Sequence, residues 1–223
     1  MEFSREVLEK FPGICVAEGD ARTIRIEPQS LALEAYKDEV SGLIRSRFTL
    51  ENVKDEPGFL AYRNFFWNVW IDPTKTRPAS EALVRRILAN KQLPTINTAV
   101  DAYNLASALN GVPIAAFDAD MLEGGLSMRF AIDGESFQGI GMKEPRELKR
   151  NQVVLTDAKK IIASYPYRDS DASKVTMATK NMHIVSCGVP GIGREKVVEA
   201  YGICARNLLS YLGGEVIGPL ITP

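Results

Sequence analysis

Apolar residues recur at helical spacing in the first half of the chain and in strand-like runs in the second, and this change of period organises the molecule. Residues 29 to 46 predict a helix. Ser30 is placed to cap it, Leu31, Leu33, Ala35, Val40, Leu43 and Ile44 form its apolar side, and Glu34, Lys37, Asp38 and Glu39 stay in water. Residues 57 to 70 hold Phe59, Tyr62, Phe65, Phe66, Trp67 and Trp70 at spacing that fills a core; stacking on bases is the other use of such a cluster. Arg63, set among these rings, either holds a carboxylate or phosphate or simply extends from the helix. Arg77-Pro78 introduces a helix over 78 to 90, with Ser80 as its cap and Leu83, Ile87 and Leu88 inward. A further helix, about 98 to 109, starts at Asn97 or Thr98 and ends at Asn110-Gly111 with a left-handed residue.

Strands flank these helices. Gly13 to Ala17 and Thr23 to Glu27 read as short edge strands before them. After them come Val112 to Phe117, Leu126 to Ile132, Phe137 to Ile140, Val153 to Leu155, Lys159 to Ser164 and Met182 to Cys187. Gly188 to Gly193 lacks the Lys-Ser/Thr of a phosphate loop and reads as a turn into a last helix, Glu195 to Leu212. Helices grouped early and strands late give an α+β class, and no linker or repeat divides the chain.

One polar pattern stands apart. Asn97, Asp101 and Asn104 fall on one side of the 98 to 109 helix, where a solvated face would carry Lys and Glu. Short amides and one Asp there either line a cleft or form a buried hydrogen-bond network. Asp118 and Asp120 follow a buried strand, where carboxylates bind an amino group or cap the backbone. In Tyr165-Pro-Tyr-Arg-Asp-Ser-Asp, Arg168 with Asp169 or Asp171 is either an ion pair or a fork that positions a ligand. His183, the one histidine, sits in an apolar strand and reads as a satisfied side chain. A single His with unpaired cysteines and no ligand spacing points away from a metal site.

These residues, in order, carry a resemblance. Leu93-Pro-x-Ile-Asn-x-x-Val-Asp-x-x-Asn104, Gly111-x-Pro-Ile-x-x-Phe-Asp118, Arg129, Gly134-Glu135, Ser173-Lys-Val-Thr and Thr179-Lys-Asn181 resemble the editing module of the phenylalanyl-tRNA synthetase beta chain, formed by its third and fourth B modules. The likeness to free-standing relatives of that module is closer, and covers roughly Arg77 to Cys187. It implies a three-layer sandwich of two sheets and a helical layer, a single domain with a core of about 77 to 187, and helical elaborations at both ends. It also implies hydrolysis of an amino acid wrongly esterified to tRNA, acting in trans. Two departures matter: the family's catalytic histidine is Ala115 here, and its glutamate falls at Val185. The Thr that precedes the family's mid-helix Asn is Tyr103, while the Asn is kept as Asn104.

Hydrolysing an aminoacyl ester needs an oriented water and donors for the oxyanion, and no protein nucleophile. The assignment expected is Asn104 with Asn97 positioning ester or water, Asp101 or Asp169 accepting the ammonium or activating water, and Arg77 or Arg168 on the terminal nucleotide. Tyr103, Asp118 and Asp120 complete the substrate-binding set; no metal or organic cofactor is expected. A non-catalytic module binding an amino acid or RNA, and a hydrolase of small amino-acid esters or amides, are the alternatives.

Composition narrows the partners. A net charge of −1 and a pI near 6.0 argue against a dedicated high-affinity nucleic-acid binder, so tRNA contact should be local and transient, alongside a small amino-acid moiety. Three widely spaced cysteines imply a reducing compartment, and no leader or membrane-length apolar run is legible, so a cytoplasmic protein with no membrane association is expected.

Overall fold

Capping side chains and turn residues set the limits of most elements in the computed structural model, which describes residues 1–223. In chain order these are β1 (Glu2–Phe3), α1 (Arg5–Lys10), β2 (Val16–Arg22), α2 (Leu31–Arg47), α3 (Pro57–Asn68), α4 (Ala79–Leu88) and α5 (Thr98–Asn110). There follow β3 (Ile114–Asp118), β4 (Ser127–Phe130), β5 (Ser136–Phe137), β6 (Arg146–Glu147), β7 (Val153–Thr156) and β8 (Ile161–Ser164). The chain ends with β9 (Arg168–Asp169), β10 (Met182–Cys187), α6 (Arg194–Leu212) and β11 (Glu215–Thr222).

The fold is α+β, with two layered sheets and helices. The larger sheet has the order β1-β4-β7-β8-β9 and the second β11-β2-β10-β3, while β5 and β6 pair in a separate two-stranded ladder. Helices α5 and α6 pack on each other and against the second sheet, while β3 meets β9 where the sheets approach. Buried apolar residues of both sheets, α3 and α6 form one continuous core, including Tyr62, Phe66, Met128, Leu155, Ile184 and Tyr201. A satellite core of Leu33, Ile44, Phe59, Ile87 and Leu105 joins α2, α3, α4 and α5. No helix is long and apolar enough to cross a membrane.

Several expectations are corrected. The strand near the N-terminus is Val16–Arg22, paired with β10 and β11, whereas residues 23 to 27 bury Ile24 and Ile26 without a ladder of their own. Lys37 is buried rather than wet, because Asp101 and Glu34 each accept a hydrogen bond from its ammonium at 2.7 Å. Pro78, not Ser80, caps α4, and the buried Ser80 hydroxyl has no partner. Trp67 and Trp70 lie outside the core at 54% and 72% exposure, while Phe59, Tyr62, Phe65 and Phe66 fill it. Arg63 holds a carboxylate of the protein itself: its guanidinium donates to both oxygens of the fully buried Glu81, at 2.7 and 2.5 Å. The C-terminal strand β11 has no counterpart in the sequence reading.

Candidate functional site

Helix α5 positions the candidate site through its own ends. Asn97 accepts a hydrogen bond from the Val100 backbone N–H at 2.9 Å, fixing the first turn, and Gly111 closes the last with φ of 87°, a conformation that favours glycine. Tyr103 and Asn104, near the middle of α5, then face a cavity of about 160 Å³. Its other walls come from Ala115 of β3, Leu155 of β7, Ser164 of β8, Arg168 and Asp169 of β9, and Cys187 of β10. Two buried hydroxyls hold that last wall: Tyr62 donates to the Cys187 carbonyl at 2.7 Å and Tyr165 to the Gly188 carbonyl at 2.5 Å.

The electrostatics of this cavity follow from its apolar lining. Asp169 Oδ2 accepts one long hydrogen bond, 3.4 Å, from the Ala116 N–H, and no cation pairs with it. Burial pushes its carboxyl up to about 7, so it titrates where a general base is most effective. Burial, aided by the negative charge of Asp169, also drives the Tyr103 phenol and the Cys187 thiol up, so both stay protonated. Cys187 is thereby unsuited to nucleophilic attack. Asn104 and Tyr103 present an amide and a hydroxyl that make no hydrogen bond within the protein.

Arg168 joins this cavity to an exposed cleft of about 590 Å³, whose lining includes Lys143, Arg146 and Tyr167. Its guanidinium lies 5.0 Å from the centre of the Tyr167 ring and donates to the Ile140 carbonyl at 2.6 Å. Gly139 makes room for its stem: a Cβ there would lie 2.4 Å from Arg168 Cδ. Neither Lys143 nor Arg146 is held in an ion pair, and with Arg168 they outnumber the one carboxylate that lines the cleft, Glu144.

Of the residues expected at one site, Tyr103, Asn104, Arg168 and Asp169 line the cavity. The others lie elsewhere. Asp101 is buried against Lys37 at 2.7 Å and accepts the Ile96 N–H at 3.1 Å, while Asn97 serves as the helix cap. Asp118 accepts the Thr179 hydroxyl at 2.6 Å and the Asp120 N–H at 3.1 Å, and Asp120 accepts from the Asn181 amide at 3.2 Å. Arg77 is exposed, two residues before Ala79 in the cavity wall. Asp171 pairs with Lys174 at 2.8 Å, on the rim of a larger groove of about 860 Å³. In that groove Arg129 grips Glu135 bidentately, and Lys160 pairs with Asp157.

Several wall residues were missed. Ser164 and Leu155 carry no signal, since small and apolar strand residues look alike wherever they face. The positions 115 and 185, which the family resemblance marks, are register partners on β3 and β10. His183 donates to or accepts from Asp20 at 2.9 Å and Glu18 at 3.1 Å, away from the cavity; burial lowers its pKa, but the two carboxylates outweigh that and raise it.

Comparison with known proteins agrees with this architecture. The B3/4 domain family matches residues 61–203. The phenylalanine–tRNA ligase beta subunit of Latilactobacillus sakei subsp. sakei is 27% identical over 177 residues, 78% of this chain and 18% of that protein. That of Geobacter metallireducens is 33% identical over 110 residues, 49% of this chain and 14% of that protein. The chain thus spans less than a fifth of the length of these relatives. An N-terminal fragment of the phenylalanyl-tRNA synthetase beta subunit from Pyrococcus horikoshii superposes with a TM-score of 0.54 at 15% identity, covering 100% of this chain and 53% of the fragment. With the family match spanning most of the chain and the fold in agreement, this protein belongs to the B3/4 domain family and is a phenylalanyl-tRNA synthetase beta-subunit-like domain.

Proposed function

We propose that this domain deacylates mischarged aminoacyl-tRNA. The observation that carries the reading is the convergence of Asn104, Asp169 and Arg168 on one small cavity beside a basic cleft. In this scheme the terminal adenosine rests near Tyr167 and Arg168, with its phosphate toward Lys143 and Arg146, and the ester carbonyl enters the cavity. Ionised Asp169 takes a proton from a water as its oxygen attacks the carbonyl carbon. The Asn104 amide and the Tyr103 hydroxyl donate to the oxyanion. The tetrahedral intermediate then collapses, and the ribose oxygen leaves with the proton returned by Asp169, giving free amino acid and intact tRNA.

A second reading has its own support. The family's histidine and glutamate are replaced by Ala115 and Val185, opposite each other in the sheet, which favours a module that binds without hydrolysing. Incubation with a panel of mischarged tRNAs and with free aminoacyl esters separates the readings. Release of amino acid from tRNA alone, abolished by Asn104→Ala, supports editing. Release from both substrates indicates a broader esterase, and binding without release a non-catalytic module.

A further inference from the structure

The cavity limits what can be esterified. For the ester to meet a water on Asp169 and the Asn104 amide, the acyl group must enter from its carbonyl onward. A dry cavity of about 150 Å³ holds one benzene, roughly six heavy atoms. The volume here is about 160 Å³. Carbonyl, α-carbon and ammonium use about four of those places and the attacking water one more, which leaves about one or two for a side chain. Tyr103 sets this limit from α5, where its half-buried phenol occupies space that a smaller residue would leave open.

The far wall does not enlarge this space. Ser164 lines it, but its hydroxyl is buried away from the cavity and has no partner there. Resting on the deacylation reading, we infer that the cavity selects a small aminoacyl group, seryl or alanyl, and that Tyr103 excludes larger groups.

The test charges one tRNA body with seryl, alanyl or tyrosyl groups and measures release. It also titrates the protein with 3′-seryl and 3′-tyrosyl amides of 3′-amino-3′-deoxyadenosine, which bind without being hydrolysed. Seryl release should exceed tyrosyl by about a hundredfold, the scale set by overfilling a packed site. Tyr103→Ala should bring the two within about tenfold, whereas Tyr103→Phe, which keeps the bulk, should retain the gap. Seryl and alanyl release should lie within about tenfold of each other. Equal release of tyrosyl and seryl groups overturns the inference and leaves deacylation standing. Release from none, with the seryl amide bound well above the tyrosyl amide, keeps the selectivity and removes catalysis. Neither release nor binding overturns both.

Discussion

Replacing Asp169 by Asn should stabilise the protein at neutral pH while removing its activity, a combination that separates a functional carboxylate from a structural one. The side chain sits in an apolar wall with one hydrogen bond, 3.4 Å from the Ala116 N–H, which the Asn oxygen can accept equally well. Burial raises its carboxyl from an ordinary value near 3.8 to about 7. Because the folded state then holds the proton more tightly than the unfolded chain, stability attributable to this group is fullest below about pH 4. It is lost as pH climbs from about 4 to about 7, and stays lost above that.

At about 1.4 kcal/mol for each pH unit between the two values, the ceiling is about 4 kcal/mol. Water reaching the partly buried side chain through the cavity reduces this to about 2 kcal/mol. For a chain of this length that is about 4 to 8 °C in Tm. Urea and thermal unfolding of both proteins between pH 4 and pH 8 provide the assay, since other carboxylates cancel in the difference. The gap should be near zero at pH 4 and open to its full value by pH 8. A gap that does not change with pH, or an Asp169→Asn protein less stable at pH 8, would refute the reasoning.

The same ionisation should govern catalysis: after subtraction of spontaneous hydrolysis, kcat/KM should rise with pH and level off above about 7, and Asp169→Asn should lower the plateau by at least about a hundredfold. A profile flat between pH 6 and pH 8 would exclude Asp169 as the base. Asp101→Asn strips the 2.7 Å partner from buried Lys37 and should cost about 2 to 4 kcal/mol in urea unfolding, with kcat unchanged where the protein is folded; a selective fall in kcat would return Asp101 to the site. Glu81→Gln should cost about 2 to 3 kcal/mol by the same measurement, because Arg63 and Arg85 both lose their carboxylate. The double change Lys143→Ala and Arg146→Ala should weaken tRNA binding and lower its log–log salt slope by about 1 to 2, measured by filter binding, and leave the Tm unchanged.

The elements most legible in the sequence are those whose ends carry their own chemistry. Helix α5 was bounded correctly because Asn97 can cap and Gly111 can turn left-handed, both local facts. Strand β2 was not, because Ala17, Glu18, Gly19 and Asp20 hold their ladder through partners 165 or so positions away, a dependence no local pattern records. The burial of Lys37 escaped notice for a related reason: its partner Asp101 is on another helix. Among site residues, the sequence marks Asn104 and Arg168-Asp169 as candidates, but marks Asp101, Asp118, Asp120 and Asp171 equally. All are short polar side chains near element ends or loops, and sequence cannot tell an Asp that caps Asp120 or pairs with Lys174 from one that faces a cavity.

Ala115, in the cavity wall with Asp169, and its register partner Val185 bear on the raised pKa of that carboxyl. Ala115 and Val185 are register partners, so an imidazole on one strand would stand opposite a carboxylate on the other; removing either alone would leave a buried polar group without its partner. Ala115 and Val185 offer Asp169 neither a cation nor a side-chain donor, and its one hydrogen bond is the long one from the Ala116 N–H. Desolvation is then unopposed except for one long backbone hydrogen bond, and the carboxyl rises to about 7. Where the resemblance places a histidine and a glutamate, this chain thus has apolar side chains, and they leave the Asp169 carboxyl near neutral pH. The same apolar wall, narrowed by Tyr103, keeps the cavity small. On the deacylation reading, Tyr103 and these apolar side chains would control both the proton and the space of the site.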